Sequence, residues 1–162
     1  MTCAYIALGA NLGAPLQTVR AAIESLRELP QSKLSAVSSM YRTAPLGLHH
    51  QPDFINAVVA METRLDPQHL LDAMFAIEAR FGRSRSVANA PRTLDLDLLL
   101  HGDTVSEDPL LTLPHPRMHE RAFVLAPLVE IAPDLTIPRH GRVVDLLRHC
   151  AEQQIEALAV SV

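Results

Sequence analysis

The chain has 162 residues, 48% of them apolar and 20% charged, which fits one globular domain with a full core and excludes a disordered or fibrous protein. A net charge of -4 argues against general affinity for a nucleic-acid backbone, which comes from a surplus of Lys and Arg. Cys3 and Cys150, near opposite ends, make neither a metal-ligand spacing nor a disulfide framework.

Residues 3–9 read as a buried strand, too short for a membrane span or signal core and lacking a preceding basic region. Residues 15–29 read as a helix, with Pro15 in its first turn and Leu16, Val19, Ile23 and Leu26 along one face. Residues 33–41 form a weaker strand, and residues 54–63, rich in β-branched positions, a strong one. Asp66 caps a helix that begins with Pro67 and stops at Gly82. Residues 93–100 give a further strand. The tail adds turns and short helices near 119–130 and 142–155. Strand, helix, strand, strand, helix, strand is the order of a ferredoxin-like split βαβ fold. The expected class is therefore α+β: an antiparallel sheet with helices on one face and a C-terminal extension, residues 1–162 forming one domain. Two connections, 42–53 and 83–92, are long enough to act as binding loops or lids.

The densest local signal is Arg92-Thr-Leu-Asp95-Leu-Asp97-Leu. Strand alternation puts Asp95 and Asp97 on one face and Leu94, Leu96 and Leu98 on the other. Two readings fit: a solvent-facing polar stripe, or a carboxylate pair whose repulsion a hard cation such as Mg²⁺ relieves while sharing phosphate oxygens. Arg92 favours the second. On the second helix, Leu70, Leu71, Met74, Phe75, Ile77 and Phe81 define an apolar arc, and Glu78 falls inside it. A carboxylate there needs either an arginine partner or a cleft in which it meets a ribose.

Thirteen of the fourteen cations are arginines, whose planar forks match phosphate and carboxylate. Arg83 and Arg85 follow the helix stop, Arg92 closes the loop, and Arg121 lies downstream with His115. They can neutralise transferring phosphoryl oxygens, or they form a solvated basic loop and tail. Phe54 and Asn56 share a strand face, as core packing or as a stack and polar edge for a flat heterocycle. The chain lacks GxxxxGK[ST], GxGxxG and GxSxG, so P-loop, dinucleotide-binding and serine-hydrolase chemistry are unsupported.

Taken together, Tyr5-Ile-Ala-Leu-Gly-Ala-Asn-Leu-Gly13, Tyr41-Arg-Thr-Ala-Pro-Leu-Gly47, Gln51-Pro-Asp-Phe-Ile-Asn56, Gly82-Arg-Ser-Arg85, Ala90-Pro-Arg-Thr-Leu-Asp-Leu-Asp97, Leu113-Pro-His-Pro116 and Arg121-Ala-Phe-Val-Leu125 resemble the 6-hydroxymethyl-7,8-dihydropterin pyrophosphokinases of folate synthesis. The resemblance runs from Tyr5 to about Pro133. It implies transfer of pyrophosphate from ATP to the pterin hydroxymethyl group with release of AMP. By analogy Asp95 and Asp97 bind two Mg²⁺ ions and, with Arg83 and Arg92, form the catalytic set. Glu78, Arg83, Arg85, Arg92, Leu98, Thr112, His115 and Arg121 line the ATP side. Thr43, Ala44 and Leu46 offer backbone contacts to the pterin, Asn56 meets its polar edge, and Phe54 and Phe123 sandwich the ring. The expected partners are the pterin and ATP alone, with no nucleic acid and no membrane, for a cytoplasmic monomer. Ala10 and Ala90 depart from the family's usual serine and glycine, and Val87-Ala88-Asn89 lacks the tryptophan and extra arginine of some members. Other readings are a non-catalytic pterin- or nucleotide-binding module, which an AMP assay separates from an enzyme, and an RNA-binding module. The acidic balance and 4% aromatic content disfavour the latter.

Overall fold

A computed structural model describes residues 1–44, 51–82 and 93–158. Alternating apolar residues build β1 (Thr2–Ala10), after which Pro15 opens helix α1 (Pro15–Arg27). The expected strand over 33–41 is two strands, β2 (Ser32–Val37) and β3 (Tyr41–Thr43), both paired to β4 (Phe54–Thr63). The break falls where side chains divert the backbone: the Ser38 hydroxyl accepts from the Val58 amide at 2.9 Å, and the Ser39 amide donates to Glu130. Helix α2 (Pro67–Arg80) starts as expected, with the Asp66 carboxylate accepting from the His69 amide at 2.8 Å. It stops where Gly82 takes a φ of 77°, a conformation open to glycine. Strand β5 (Asp95–His101) follows, then the hairpin of β6 (Ser106–Asp108) and β7 (Leu111–Leu113), helix α3 (Ala122–Ile131), the small pair β8 (Thr136–Ile137) and β9 (Gly141–Arg142), helix α4 (Val143–Arg148) and β10 (Ile155–Ala157).

The main sheet is antiparallel with order β10-β3-β4-β1-β5, and β2 also pairs β4. Each crossover, β1-α1-β2 and β4-α2-β5, links strands that flank a third. The fold is thus α+β, built on an antiparallel sheet.

The two faces bury different elements. Ile6, Leu8, Val59, Met61, Leu94, Leu96 and Leu98 pack under α1 and α2, against Val19, Ile23, Leu26, Leu70, Met74 and Ile77. Val58, Leu99 and Leu100 meet Met118, Val124, Leu125, Leu128 and Val143 from the tail on the opposite face. The expectation of helices on one face describes α1 and α2, whereas the tail covers part of the other face. Its ten-residue apolar helix α3, with little contrast between its sides, is what gives that second layer. Phe75, assigned to the apolar arc of α2, is 40% exposed at the rim of that arc, while Leu70, Leu71, Met74 and Ile77 form the contact.

One buried charge fixes the edge of the sheet. Glu78 is 1% exposed, and its Oε2 accepts from the Leu96 amide at 2.7 Å. The carboxylate satisfies a backbone donor of β5, the strand that β1 pairs on its other side. Glu78→Ala leaves that amide without its acceptor and costs on the order of 2 kcal/mol, measured by urea unfolding. Glu78→Gln, which keeps an oxygen in place, loses less.

Candidate active site

Strand alternation assembles the site on the sheet face opposite α1 and α2. Asp95 and Asp97 are half-buried there, while Leu94, Leu96 and Leu98 are buried on the helix side. The register aligns Asp95 with Gly9 and Asp97 with Ala7 on β1, and Gly9 in turn with Asn56 on β4. The next pairs outward are Asn56 with Tyr41 and Phe54 with Thr43. The face therefore runs from an acidic wall, across a floor of small residues, to a wall of amide, hydroxyl and ring. Gly9 keeps the floor low: a Cβ there would sit 3.1 Å from Asn56 Oδ1. Asn56 is 6% exposed and its Nδ2 donates to Thr43 Oγ1 at 2.8 Å, which sets the direction of the amide.

The tail brings the positive side of the site. A register shift between Tyr5 and Ile6 makes Leu99 an extra residue in β5, and its carbonyl accepts from the His115 amide at 2.9 Å. His115 Nδ1 accepts from the Arg117 amide at 3.2 Å. Burial first, and then the Arg121 charge, push the His115 imidazole down from 6.5 to about 4, against an opposing pull from Asp95. Near neutrality the ring is uncharged, with Nδ1 as acceptor and Nε2 carrying the proton. Arg121 stands at the start of α3, with its guanidinium 5.5 Å from the centre of the Phe123 ring. Burial lowers its pKa while the charges of Asp97 and Asp95 raise it, so the cation lies within electrostatic reach of both carboxylates.

Of the residues expected at the site, Asp95, Asp97, His115, Arg121 and Phe123 come together from β5, the β7–α3 connection and α3, and Phe54, Asn56 and Thr43 line the same face from β4 and β3. Ala44 directly follows β3. Leu46, Arg83, Arg85 and Arg92 lie outside the described residues. Leu98 is buried in the helix-side core, so any contact it makes with a ligand on the aspartate face is through its backbone. Thr112 is on β7, where its hydroxyl donates to the Asp108 carbonyl at 3.0 Å. Two residues escaped the sequence reading. Gly9 and Asn11 belong to the Tyr5–Gly13 motif of the family resemblance, which assigns neither of them a role. Asn11, 1% exposed, donates to Gln51 Oε1 at 3.1 Å and to the Pro52 carbonyl at 3.2 Å, tying the end of β1 to the approach to β4.

Fold and site define an α+β protein that presents paired carboxylates, a guanidinium and a neutral imidazole beside a pocket wall of amide and aromatic ring. That set suits a polyanion bridged by a hard cation next to a flat heterocycle. The family model for 7,8-dihydro-6-hydroxymethylpterin-pyrophosphokinase (HPPK) matches residues 5–133. Curated proteins named 2-amino-4-hydroxy-6-hydroxymethyldihydropteridine pyrophosphokinase are similar along nearly the whole chain. The one from Pseudomonas aeruginosa is 46% identical, covering 95% of this chain and 95% of its own length. That from Haemophilus influenzae is 43% identical, covering 96% and 97%. A Plasmodium falciparum HPPK-DHPS structure with pteroate matches with a TM-score of 0.73 at 14% identity, over 91% of this chain and 42% of that one. This chain spans less than half the length of those HPPK-DHPS chains, and the likeness concerns the fold. The chain belongs to the 7,8-dihydro-6-hydroxymethylpterin-pyrophosphokinase family.

The low pKa of His115 has a signed consequence. The unfolded chain takes up this proton near pH 6.5 and the folded chain only near 4, so its contribution makes stability drop as the pH is lowered from 6.5 to 4 and level off below that. His115→Asn flattens that part of the acid limb in denaturation followed at stepped pH.

Proposed function

We propose that this protein transfers pyrophosphate from ATP to the hydroxymethyl group of 6-hydroxymethyl-7,8-dihydropterin, releasing AMP, for folate biosynthesis. Family membership supports the activity. The observation that carries the site assignment is the register that sets Asp95 across Gly9 from Asn56, with Asp97 beside it opposite Ala7. The acidic wall is the nucleotide side and the Asn56 wall is the pterin side. The pterin oxygen forms a bond to the β-phosphorus, the bond from that phosphorus to the oxygen bridging to the α-phosphorus breaks, and the hydroxyl proton is given up. No covalent enzyme intermediate is required, so the protein contributes positioning and charge neutralisation.

Asp95 and Asp97 would hold the magnesium, as two ions. Among the described residues no group of three or more His, Cys, Asp or Glu could hold a metal. A pair of carboxylates nonetheless fits Mg²⁺, which takes its other ligands from phosphate oxygens and water. When bound, the metal neutralises phosphate charge and orients the oxygens. Arg121 adds a fixed positive charge beside the carboxylates, and His115 offers a neutral donor from Nε2. Glu78, Leu98 and Thr112 belong to the ATP side, Glu78 by bracing Leu96 between the two aspartates and Leu98 through its backbone. Arg83, Arg85 and Arg92 complete the nucleotide side, and Arg83 and Arg92 are assigned to catalysis with the aspartates. Thr43, Ala44 and Leu46 flank the pterin through their backbone, Asn56 meets its polar edge, and Phe54 and Phe123 enclose its ring. Residues 1–162 act as one pyrophosphokinase domain of ferredoxin-like type, a reading supported by the two split crossovers. No described helix is long and apolar enough to cross a membrane. We assign the protein to the cytoplasm as a monomer that works on small molecules.

Asp95→Asn lowers AMP formation by about 100-fold or more with little change in thermal stability, because the relief of repulsion from Asp97 offsets the lost attraction to Arg121. The measurement is AMP produced from ATP with and without the pterin alcohol, magnesium titrated. Near-normal turnover in this variant would sink the metal assignment. Gly9→Ala pushes its Cβ onto Asn56 Oδ1, so KM for the pterin rises by roughly tenfold with KM for ATP little changed, read from initial rates.

A further inference from the structure

Residues 150–158 lie beyond the segment that the family model matches, yet they touch both sides of the site. Strand β10 pairs with β3, Ile155 opposite Thr43 and Ala157 opposite Tyr41, and the Leu158 amide donates to the Met40 carbonyl at 2.9 Å. A turn closed by the Gln153 amide on the Cys150 carbonyl, 3.0 Å, leads into it. From that turn the Gln153 side chain reaches back over thirty positions. Its Nε2 donates to the Glu120 carbonyl at 2.7 Å and its Oε1 accepts from the Ala122 amide at 2.9 Å. One amide thus grips the main chain on both sides of a single residue, Arg121.

Arg121 needs such a grip. It is the residue before the first turn of α3, with extended φ and ψ of -116° and 113°, and its own side chain makes no capping hydrogen bond. The Ala122 amide is one of the donors a helix start leaves unpaired. Gln153 supplies the acceptor from outside, and the Arg121 guanidinium stays within electrostatic reach of Asp97 and Asp95. Gln153 is an exposed residue and its bond to Ala122 is only part-buried, so its hydrogen bonds largely replace bonds to water and add little global stability. Their effect is on direction: two bonds, one before and one after Arg121, fix the peptide planes that set where its side chain emerges.

We propose that Gln153 is a positioning residue for the reaction, holding Arg121 at the nucleotide side of the site. The inference rests on the assignment of Arg121 to the nucleotide side. Gln153→Met keeps the length and removes both hydrogen bonds. Gln153→Glu keeps the acceptor for Ala122 and loses the donor to Glu120.

The test is a double-mutant cycle of Gln153→Met with Arg121→Ala, reading kcat/KM for ATP, KM for the pterin and Tm. Gln153→Met lowers kcat/KM for ATP by roughly tenfold, leaves KM for the pterin and Tm nearly unchanged, and costs nothing further once Arg121 is alanine. Gln153→Glu recovers part of the loss, and should the methionine variant fold poorly, the glutamate variant in the same cycle decides. Wild-type ATP kinetics in Gln153→Met, or a double variant whose loss is the product of the single losses, overturns the inference while leaving the function intact. An Arg121→Ala enzyme with normal kcat/KM for ATP overturns the nucleotide-side assignment itself, and the inference with it.

Discussion

The site depends on how β5 is held. Its alternation commits Leu96 and Leu98, with Leu94 just before the strand, to the core under α1 and α2 and therefore commits Asp95 and Asp97 to the opposite face. A slip of one residue would bury the two carboxylates and expose the leucines, so the hydrophobic core enforces the register of the acidic wall. Strand β1 supplies one ladder of hydrogen bonds to β5, and the buried Glu78 carboxylate secures Leu96, the residue between the aspartates. The placement of like charges side by side is thus maintained by packing and by a third carboxylate that faces the backbone.

Gly9 and the bulge at Leu99 turn that strand into part of a site. Gly9, aligned with both Asp95 and Asn56, leaves the floor between the acidic and amide walls without a side chain. The extra residue at Leu99 offers its carbonyl to His115, so the irregularity that disturbs the ladder also docks the segment carrying the imidazole. Further along, Glu130 near the end of α3 accepts from the Ser39 amide and hydroxyl and from the Tyr41 hydroxyl. That contact ties the second layer to the break between β2 and β3, which is where the sheet turns toward the Asn56 wall.

Periodicity reaches as far as elements whose pattern the core imposes. The spans of α1, β4 and α2, the Asp66 cap and the Gly82 stop follow from spacing and from residue types with one strong local preference. The division of residues 33–43 into β2 and β3 does not, because it is made by contacts from Val58 and Glu130, twenty and ninety-one residues distant from Ser38 and Ser39. The second layer of helices is similarly hidden: α3 is apolar on most sides, so its composition marks burial without saying against which face. Asn11 and Gly9 sit in a pattern that resembles no phosphate loop, and their use depends on β4 lying alongside.

The sequence by itself determined the acidic pair and its facing, the helices under one side of the sheet, and the family, since each follows from short-range spacing or from motifs in order. Only the tertiary structure decided that Asp95 faces Asn56 across Gly9, that Glu78 serves the backbone of Leu96, and that His115 is neutral beside Arg121. It also decided that a glutamine near the end of the chain grips the peptides around Arg121. These are pairings between residues far apart in the chain, and their energies depend on burial and direction, quantities that exist only once the strands have taken their register.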